Sequence, residues 1–378
     1  MLFLVKNLKS NEMKKLLFIL PILLFISNHA KAGGDEKLKA IDKHEKAVHI
    51  KDGWIRDPYI VLGPDDYYYL TGTTRLPKDP KEQTDYYNTG LGEKSAVGYK
   101  MQVWRSKDLI DWEYLDSPFS LKETPLFKDS VQVDWSKQRL WAPELHWVGN
   151  RWLMVYCPKF VSGLALTNGP EIKAPWTNHN PKTFLDKHDP SFFMDDNGQS
   201  YLLWGFHKFY IRPLKKDFSG FSGPATQITP ANRKMGHEGT TMLKFGKKYV
   251  YIGTAWSTDK GRKGSYNLYY CTSDSPTGPF SERRFLGRFL GHGTPFKDKN
   301  GNWWCTAFYN ADTKPLDSKN IQKRDLSDNA YTINQQGTTI VPLEIKLQLN
   351  GDVYIQAKDP HYAVPGPDEV QKFQKSVR

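Results

Sequence analysis

The sequence predicts an all-β fold, a five-bladed β-propeller, on three observations. A two-strand phrase recurs five times, aromatic side chains are abundant (12 Trp, 20 Tyr and 20 Phe in 378 residues), and no stretch past residue 32 shows sustained helical periodicity with caps. Aromatic residues suit half-buried strands. A fixed repeat of one supersecondary unit is the mark of propellers and solenoids. Helical solenoids and doubly wound folds both need helices that the pattern does not supply.

Each phrase has a small polar opening, an apolar strand, a Gly or Asp turn, and an aromatic return strand. The first opens at Asp57-Pro58, turns at Gly63 to Asp66 and returns as Tyr67 to Leu70. The second opens at Ala142-Pro143-Glu144, turns at Gly149-Asn150 and returns as Trp152 to Tyr156. The third runs from Asp189-Pro190 through Asp195 to Gly198 into Tyr201 to Gly205. The fourth runs from Glu238-Gly239 through Gly246-Lys247 into Tyr249 to Ile252. The fifth runs from His292-Gly293 through Asp298 to Gly301 into Trp303 to Phe308. Asx and Gly turns between strand formers read as hairpins. Segments such as Val103 to Trp112 and Tyr269 to Phe280 supply outer strands. Openings at 144, 189, 238 and 292 stand 45, 49 and 54 residues apart, the size of a four-stranded blade. The longer first interval reads as a loop over Arg75 to Lys100, in which Tyr86 to Gly90 offers a rim for a pocket. Past Ala330, Thr332-Ile333, Thr338 to Val341 and Val353 to Ile355 read as closing strands for the first blade.

Three segments follow: a signal peptide over 1–32, the propeller over 33–358 and a loose tail over 359–378. Lys14-Lys15, the apolar run Leu16 to Ile26 and Ala30-Lys31-Ala32 are the parts of a secretory leader, with Met13 as its start. Eleven apolar residues are too few to span a bilayer, which takes about 20. The product is expected to be exported, to the periplasm or beyond the cell, without a membrane span. Removing the leader takes away five Lys and one Glu and lowers the net charge from +12 to +8. A basic chain favours an anionic polysaccharide partner. Nucleic acid is disfavoured, because no dense Lys/Arg tract is interleaved with aromatics. Cys157, Cys271 and Cys305 lack CxxC spacing, so buried free thiols are expected and zinc is not.

First strands of propeller blades line the channel, so Asp57, Glu144, Asp189, Glu238 and His292 converge on one mouth. Several carboxylates around one axis repel one another unless chemistry uses them. Taken in order, Arg56-Asp57-Pro58, Trp141 to Glu144, His188 to Ser191, His237-Glu238-Gly239 and Gly291-His292-Gly293 resemble glycoside hydrolase family 43. The likeness covers about residues 50 to 345. It implies an inverting glycosidase, of the α-L-arabinofuranosidase or β-D-xylosidase type, with Asp57 as general base, Asp189 tuning and orienting the acid, and Glu238 as general acid. His292 is implied to sit beside a calcium ion or water cluster in the channel, and no cofactor is required for the reaction. Inverting hydrolysis needs a base and a protonated carboxyl roughly 6.5–9.5 Å apart. A third carboxylate near the acid would keep it protonated.

His237 stands where the family more often has a small or apolar residue. In the related α-1,3-neoagarooligosaccharide hydrolases, exo-enzymes releasing 3,6-anhydro-L-galactose, a histidine beside this glutamate is implied as the acid. Both assignments stay open, as does a non-catalytic carbohydrate-binding propeller. Glu144, His237, Trp141 and Trp256 are expected to touch substrate, the indoles by stacking. Trp54 is a further candidate.

Overall fold

The computed structural model describes residues 33–79, 95–127, 132–158, 161–178, 187–261, 263–307, 311–312 and 337–373. The leader over 1–32, the tract Tyr86 to Gly90 and Thr332-Ile333 lie outside the described residues.

Among the described residues five blade sheets succeed one another, four of them four-stranded meanders in chain order, and each blade's first strand follows or carries one of the five phrases. Blade one pairs Ile55–Leu62, Tyr68–Thr74, Trp104–Ser106 and Glu113–Tyr114. Blade two pairs Trp141–Val148, Arg151–Cys157, Gly163–Thr167 and Trp176–Asn178. Blade three pairs Ser191–Met194, Ser200–Phe206, Lys208–Pro213 and Thr226–Ile228. Blade four pairs Glu238–Phe245, Lys248–Trp256, Tyr266–Ser273 and Arg284–Gly287. The fold is a five-bladed β-propeller. Among the described residues the core forms five apolar clusters, each filling the seam between neighbouring blades. Leu153, Val155 and Leu164 of blade two meet Phe192, Leu202 and Trp204 of blade three in one. Tyr69 and Met101 of the first unit meet Leu145, Trp152 and Met154 in another. Both faces of every blade are therefore covered, which is why the second strands read as continuous apolar runs rather than alternating ones.

Blade five departs from expectation. Pro295–Lys297 and Trp303–Ala307 are followed by Thr338–Leu347, a ten-residue strand of this blade, not of the first. The front half of that strand pairs with Val48–Lys51, so the N-terminal end of the described chain closes the ring (Val48↔Ile340, His49↔Thr339). Its far half pairs with Val353–Ala357. The strand is longer than its neighbour Trp303–Ala307, so it carries pairing edge that two short partners share. Residues 33–43 include helix, which the periodicity did not predict.

Residues 359–373 are docked, where a loose tail was expected. Asp368 is 1% exposed. Its carboxylate accepts from the Ser257 and Ser265 hydroxyls (2.5 and 2.6 Å), the Ser265 N–H (2.9 Å) and Arg288 Nη2 (2.7 Å). Phe373 stacks on Tyr269 at 6.0 Å between centroids. A buried carboxylate with four donors is satisfied, and it ties the tail to blade four.

Candidate active site

One backbone device recurs at the channel mouth. Asp57, Ala142, Asp189, Gly239 and His292 all have positive φ, between 41 and 59°. In blades one, two and four the first strand bulges there, two of its residues facing one of the second strand: Asp57-Pro58, Ala142-Pro143 and Gly239-Thr240. Such bulges bend a strand and re-aim side chains. Left-handed backbone at a non-glycine residue costs about 1–2 kcal/mol. These residues line a single pocket with Tyr59, Glu144, Thr241 and Thr294.

The bulge also corrects the expected equivalence of the five openings. The conformational equivalents of Asp57 are Ala142, Asp189, Gly239 and His292, so Glu144 comes two residues late and Glu238 one residue early. Gly239 is required where it stands. A Cβ there would lie 2.7 Å from the His292 ring, on a φ of 59°, so the glycine makes room for that ring against the fourth blade.

Acids and imidazoles alternate around the mouth. His292 Nδ1 lies 3.1 Å from Asp57 Oδ1, and His292 Nε2 lies 3.9 Å from Asp189 Oδ2. His188 Nε2 is 3.7 Å from that same Asp189 oxygen and 3.6 Å from Glu238 Oε2. His237 Nε2 flanks Glu238 Oε2 at 3.8 Å. The Thr73 hydroxyl donates to Asp57 Oδ2 at 2.8 Å, Tyr266 OH donates to Glu238 Oε1 at 2.7 Å, and the Gly239 N–H reaches Asp189 Oδ2 at 3.3 Å. The structure thus brings together Asp57, Asp189, Glu238, His237 and His292, as the sequence predicts, and adds His188, Thr73 and Tyr266. His188 was visible beside Asp189, but nothing local to it says that its ring spans two acids. Tyr266 carries no signal in the sequence.

Burial alone would raise Asp57, but the His292 imidazolium and its hydrogen bond win, and its carboxyl lies below the usual range. Asp189 is raised, by burial first and then by the charges of Glu238 and Asp57, against the pull of His292 and His188. Burial would raise Glu238 too, yet His188, His237, His292 and Tyr266 hold it well below its ordinary range. The direction runs against the expected one, in which a neighbouring carboxylate keeps Glu238 protonated. Glu238 has three imidazoles and a phenol to stabilise its charge, so the raised carboxyl is Asp189. Burial lowers His188, but Asp189, Cys157 and Glu238 bring it up to about 11. Burial likewise opposes protonation of His292, but Asp57 and Asp189 bring it up to about 10.

His292→Ala is accordingly expected to destabilise the fold by about 3–5 kcal/mol near pH 6, the cost of orphaning buried partners. Because the folded pKa lies above the ordinary 6.5, this contribution is complete below about pH 6.5 and is lost as pH rises through about 10. Melting curves of both proteins from pH 6 to 10 check it. The gap should close with rising pH, and a constant gap would refute the ion pair.

Other expected contacts fare differently. Glu144 lines the pocket, but its Oε2 accepts from the Phe192 N–H and lies 3.2 Å from His146 Nε2, so it also ties blade two to blade three. Trp256 is 4% exposed, packed on Tyr266 at 4.4 Å between centroids. It seats the Tyr266 ring from within the core and does not reach a ligand, which corrects the stacking role predicted for it. Trp54 is buried too, with the Arg75 guanidinium over its ring. Trp141 is half-buried at the strand start, 5.9 Å from the Arg56 guanidinium. All three cysteines are free and buried. A calcium ion ligated by the His292 ring does not fit this arrangement, since both ring nitrogens face carboxylate oxygens. Calcium takes six to eight oxygens. Among the described residues, Cys157, His188 and Asp189 bring three ligand-type atoms within 4.8 Å of one another. A thiol and an imidazole suit a softer ion than calcium.

The model of the family "Glycosyl hydrolases family 43" matches residues 49–339. The chain is 25% identical over 259 residues to the Extracellular endo-alpha-(1->5)-L-arabinanase 1 of Bacillus subtilis (strain 168), covering 64% of this chain and 78% of that one. It is 23% identical over 287 residues to the Xylan 1,3-beta-xylosidase of a Vibrio species, covering 68% of this chain and 48% of the longer relative. Among solved structures, the Endo-1,4-beta-xylanase from Bacteroides thetaiotaomicron superposes with a TM-score of 0.54 at 20% identity, covering 82% of this chain and 96% of that one. That last likeness speaks for the fold alone.

Proposed function

The chain belongs to glycosyl hydrolases family 43 and is a glycoside hydrolase, and we propose that it cleaves α-L-arabinofuranosides or β-D-xylosides of plant or algal saccharides with inversion. The observation that carries this reading is the alternating row of contacts Asp57, His292, Asp189, His188, Glu238, of which Asp57, Asp189 and His292 line the channel pocket. Asp57, held ionised by His292, takes a proton from water as it attacks the anomeric carbon. Glu238 gives a proton to the leaving oxygen. Inverting enzymes keep base and acid roughly 6.5–9.5 Å apart, leaving room for a water and the sugar, and here Asp57 and Glu238 belong to different blades and make no direct contact in the row His292, Asp189, His188. Asp189 holds the Gly239 N–H next to Glu238, and so orients the acid.

The imidazoles around Glu238 favour its ionised form before substrate binds, so this reading needs a proton delivered to Glu238 in the complex. His188, within 3.7 Å of both acids, is placed to carry it from Asp189. A second reading has support from the same fact. If Glu238 stays ionised, His237 beside it is the donor, as in the 3,6-anhydro-L-galactose-releasing relatives. Export belongs to the proposal as well, supported by the leader-like residues 1–32 and by the extracellular B. subtilis relative. Residues 33–358 are then the catalytic unit, and its basic charge favours acidic or sulfated saccharides.

Incubation with nitrophenyl glycosides and with plant and algal oligosaccharides tests the reading, with products separated and their anomers read by NMR at first release. Arabinose or xylose should appear in inverted configuration. Release of anhydrogalactose alone would favour the second reading. Retention, or no turnover of any substrate, would contradict both.

A further inference from the structure

Phe206 is an aromatic ring at the rim that the proposed chemistry leaves unused. It is 43% exposed, and three imidazoles surround it. Ring centroids of His207, His237 and His188 lie 4.3, 4.7 and 5.3 Å from its own. Two of these, His237 and His188, direct Nε2 at Glu238. The ring is therefore one imidazole away from the carboxyl proposed as acid, whereas Asp57 is held by His292.

The backbone fixes it there. Phe206 ends the second strand of blade three and pairs with Lys208 across His207, which has a φ of 61°. The His207 N–H donates to the His237 carbonyl at 3.0 Å. The hairpin tip is thus tied to the residue preceding Glu238, and ring and acid keep one relation without ligand-induced ordering.

We infer that Phe206 is the stacking platform for the sugar ring on the leaving-group side of the scissile bond. This rests on the proposed glycosidase chemistry. It holds whether Glu238 or His237 gives the proton, since the leaving oxygen must sit beside either donor and the ring attached to that oxygen then reaches Phe206. Furanose and pyranose rings present C–H faces that an exposed aromatic ring covers, while their hydroxyls stay in water.

The test compares wild type, Phe206→Ala and Phe206→Trp on four substrates. Two are α-1,5-L-arabinobiose and xylobiose, which leave a sugar. Two are the α-L-arabinofuranosyl and β-D-xylosyl fluorides, which leave a single atom. On the disaccharide that wild type cleaves, Phe206→Ala should lose roughly three- to tenfold in kcat/KM, mainly through KM, and Phe206→Trp should retain activity. Hydrolysis of the matching fluoride should be unchanged in both variants. Equal losses on disaccharide and fluoride, or no loss on either, would overturn the platform while leaving the glycosidase reading intact. Wild-type inactivity on all four would overturn the substrate reading, and the platform with it.

Discussion

Asp57→Asn is expected to lower kcat by roughly 10²–10⁴-fold on every glycoside the protein cleaves, whatever its leaving group. The amide keeps the size of the carboxylate and can still accept from the Thr73 hydroxyl, now 2.8 Å from Asp57 Oδ2. It cannot take a proton from water. Every substrate needs that water, so activated phenyl glycosides and disaccharides should suffer alike. Part of the effect passes through His292, whose charge loses its nearest partner, 3.1 Å away. A melting curve run beside the kinetics separates that loss of stability from the loss of base. A fall in kcat of less than tenfold, or one confined to poor leaving groups, would remove Asp57 from the role of base.

Glu238→Gln is expected to show the opposite selectivity. Protonation of the leaving oxygen matters in proportion to that oxygen's basicity, so a nitrophenolate leaves nearly unaided and a sugar alkoxide does not. Substrates with sugar leaving groups should lose roughly 10²–10⁴-fold, and activated ones much less. The amide can still accept from Tyr266 OH, now 2.7 Å from Oε1. What it removes is the negative charge that His188 and His237 face. His188 should then titrate lower than in wild type, because the hydrogen bond to the Glu238 carboxylate that helps raise it is weakened.

Much of this site was legible before the fold was. Hairpins announce themselves locally, through Gly and Asx turns between strand formers, so five hairpins, one to a blade, could be read from the chain with their openings in order. The convergence of Asp57, Asp189 and Glu238 follows from ring closure alone. Phase was harder. Bulges of two residues at Asp57-Pro58, Ala142-Pro143 and Gly239-Thr240 shift side chains along the first strands, and no composition marks where a strand skips register.

Long-range pairing was hidden as well. Val48 meets Ile340 across nearly the whole chain, and Asp368 finds its donors in Ser257, Ser265 and Arg288. A short polar tail looks the same whether or not such donors await it. Trp256 was misread because its strand, Lys248–Trp256, is buried almost throughout, so no alternation distinguishes a ligand-facing indole from a packed one. The proton balance could not be read at all. It depends on three imidazoles within 4 Å of Asp189 and Glu238, two of them standing next to an acid in sequence and the third, His292, brought in by ring closure.

The assignment of base and acid is tested most directly by the dependence of kcat/KM on leaving-group pKa, measured over a series of substituted phenyl glycosides for wild type, Glu238→Gln and His237→Ala. A markedly steeper dependence in Glu238→Gln, with His237→Ala parallel to wild type, is the predicted result. A steeper dependence in His237→Ala, with Glu238→Gln depressed equally across the series, would contradict it and make His237 the proton donor.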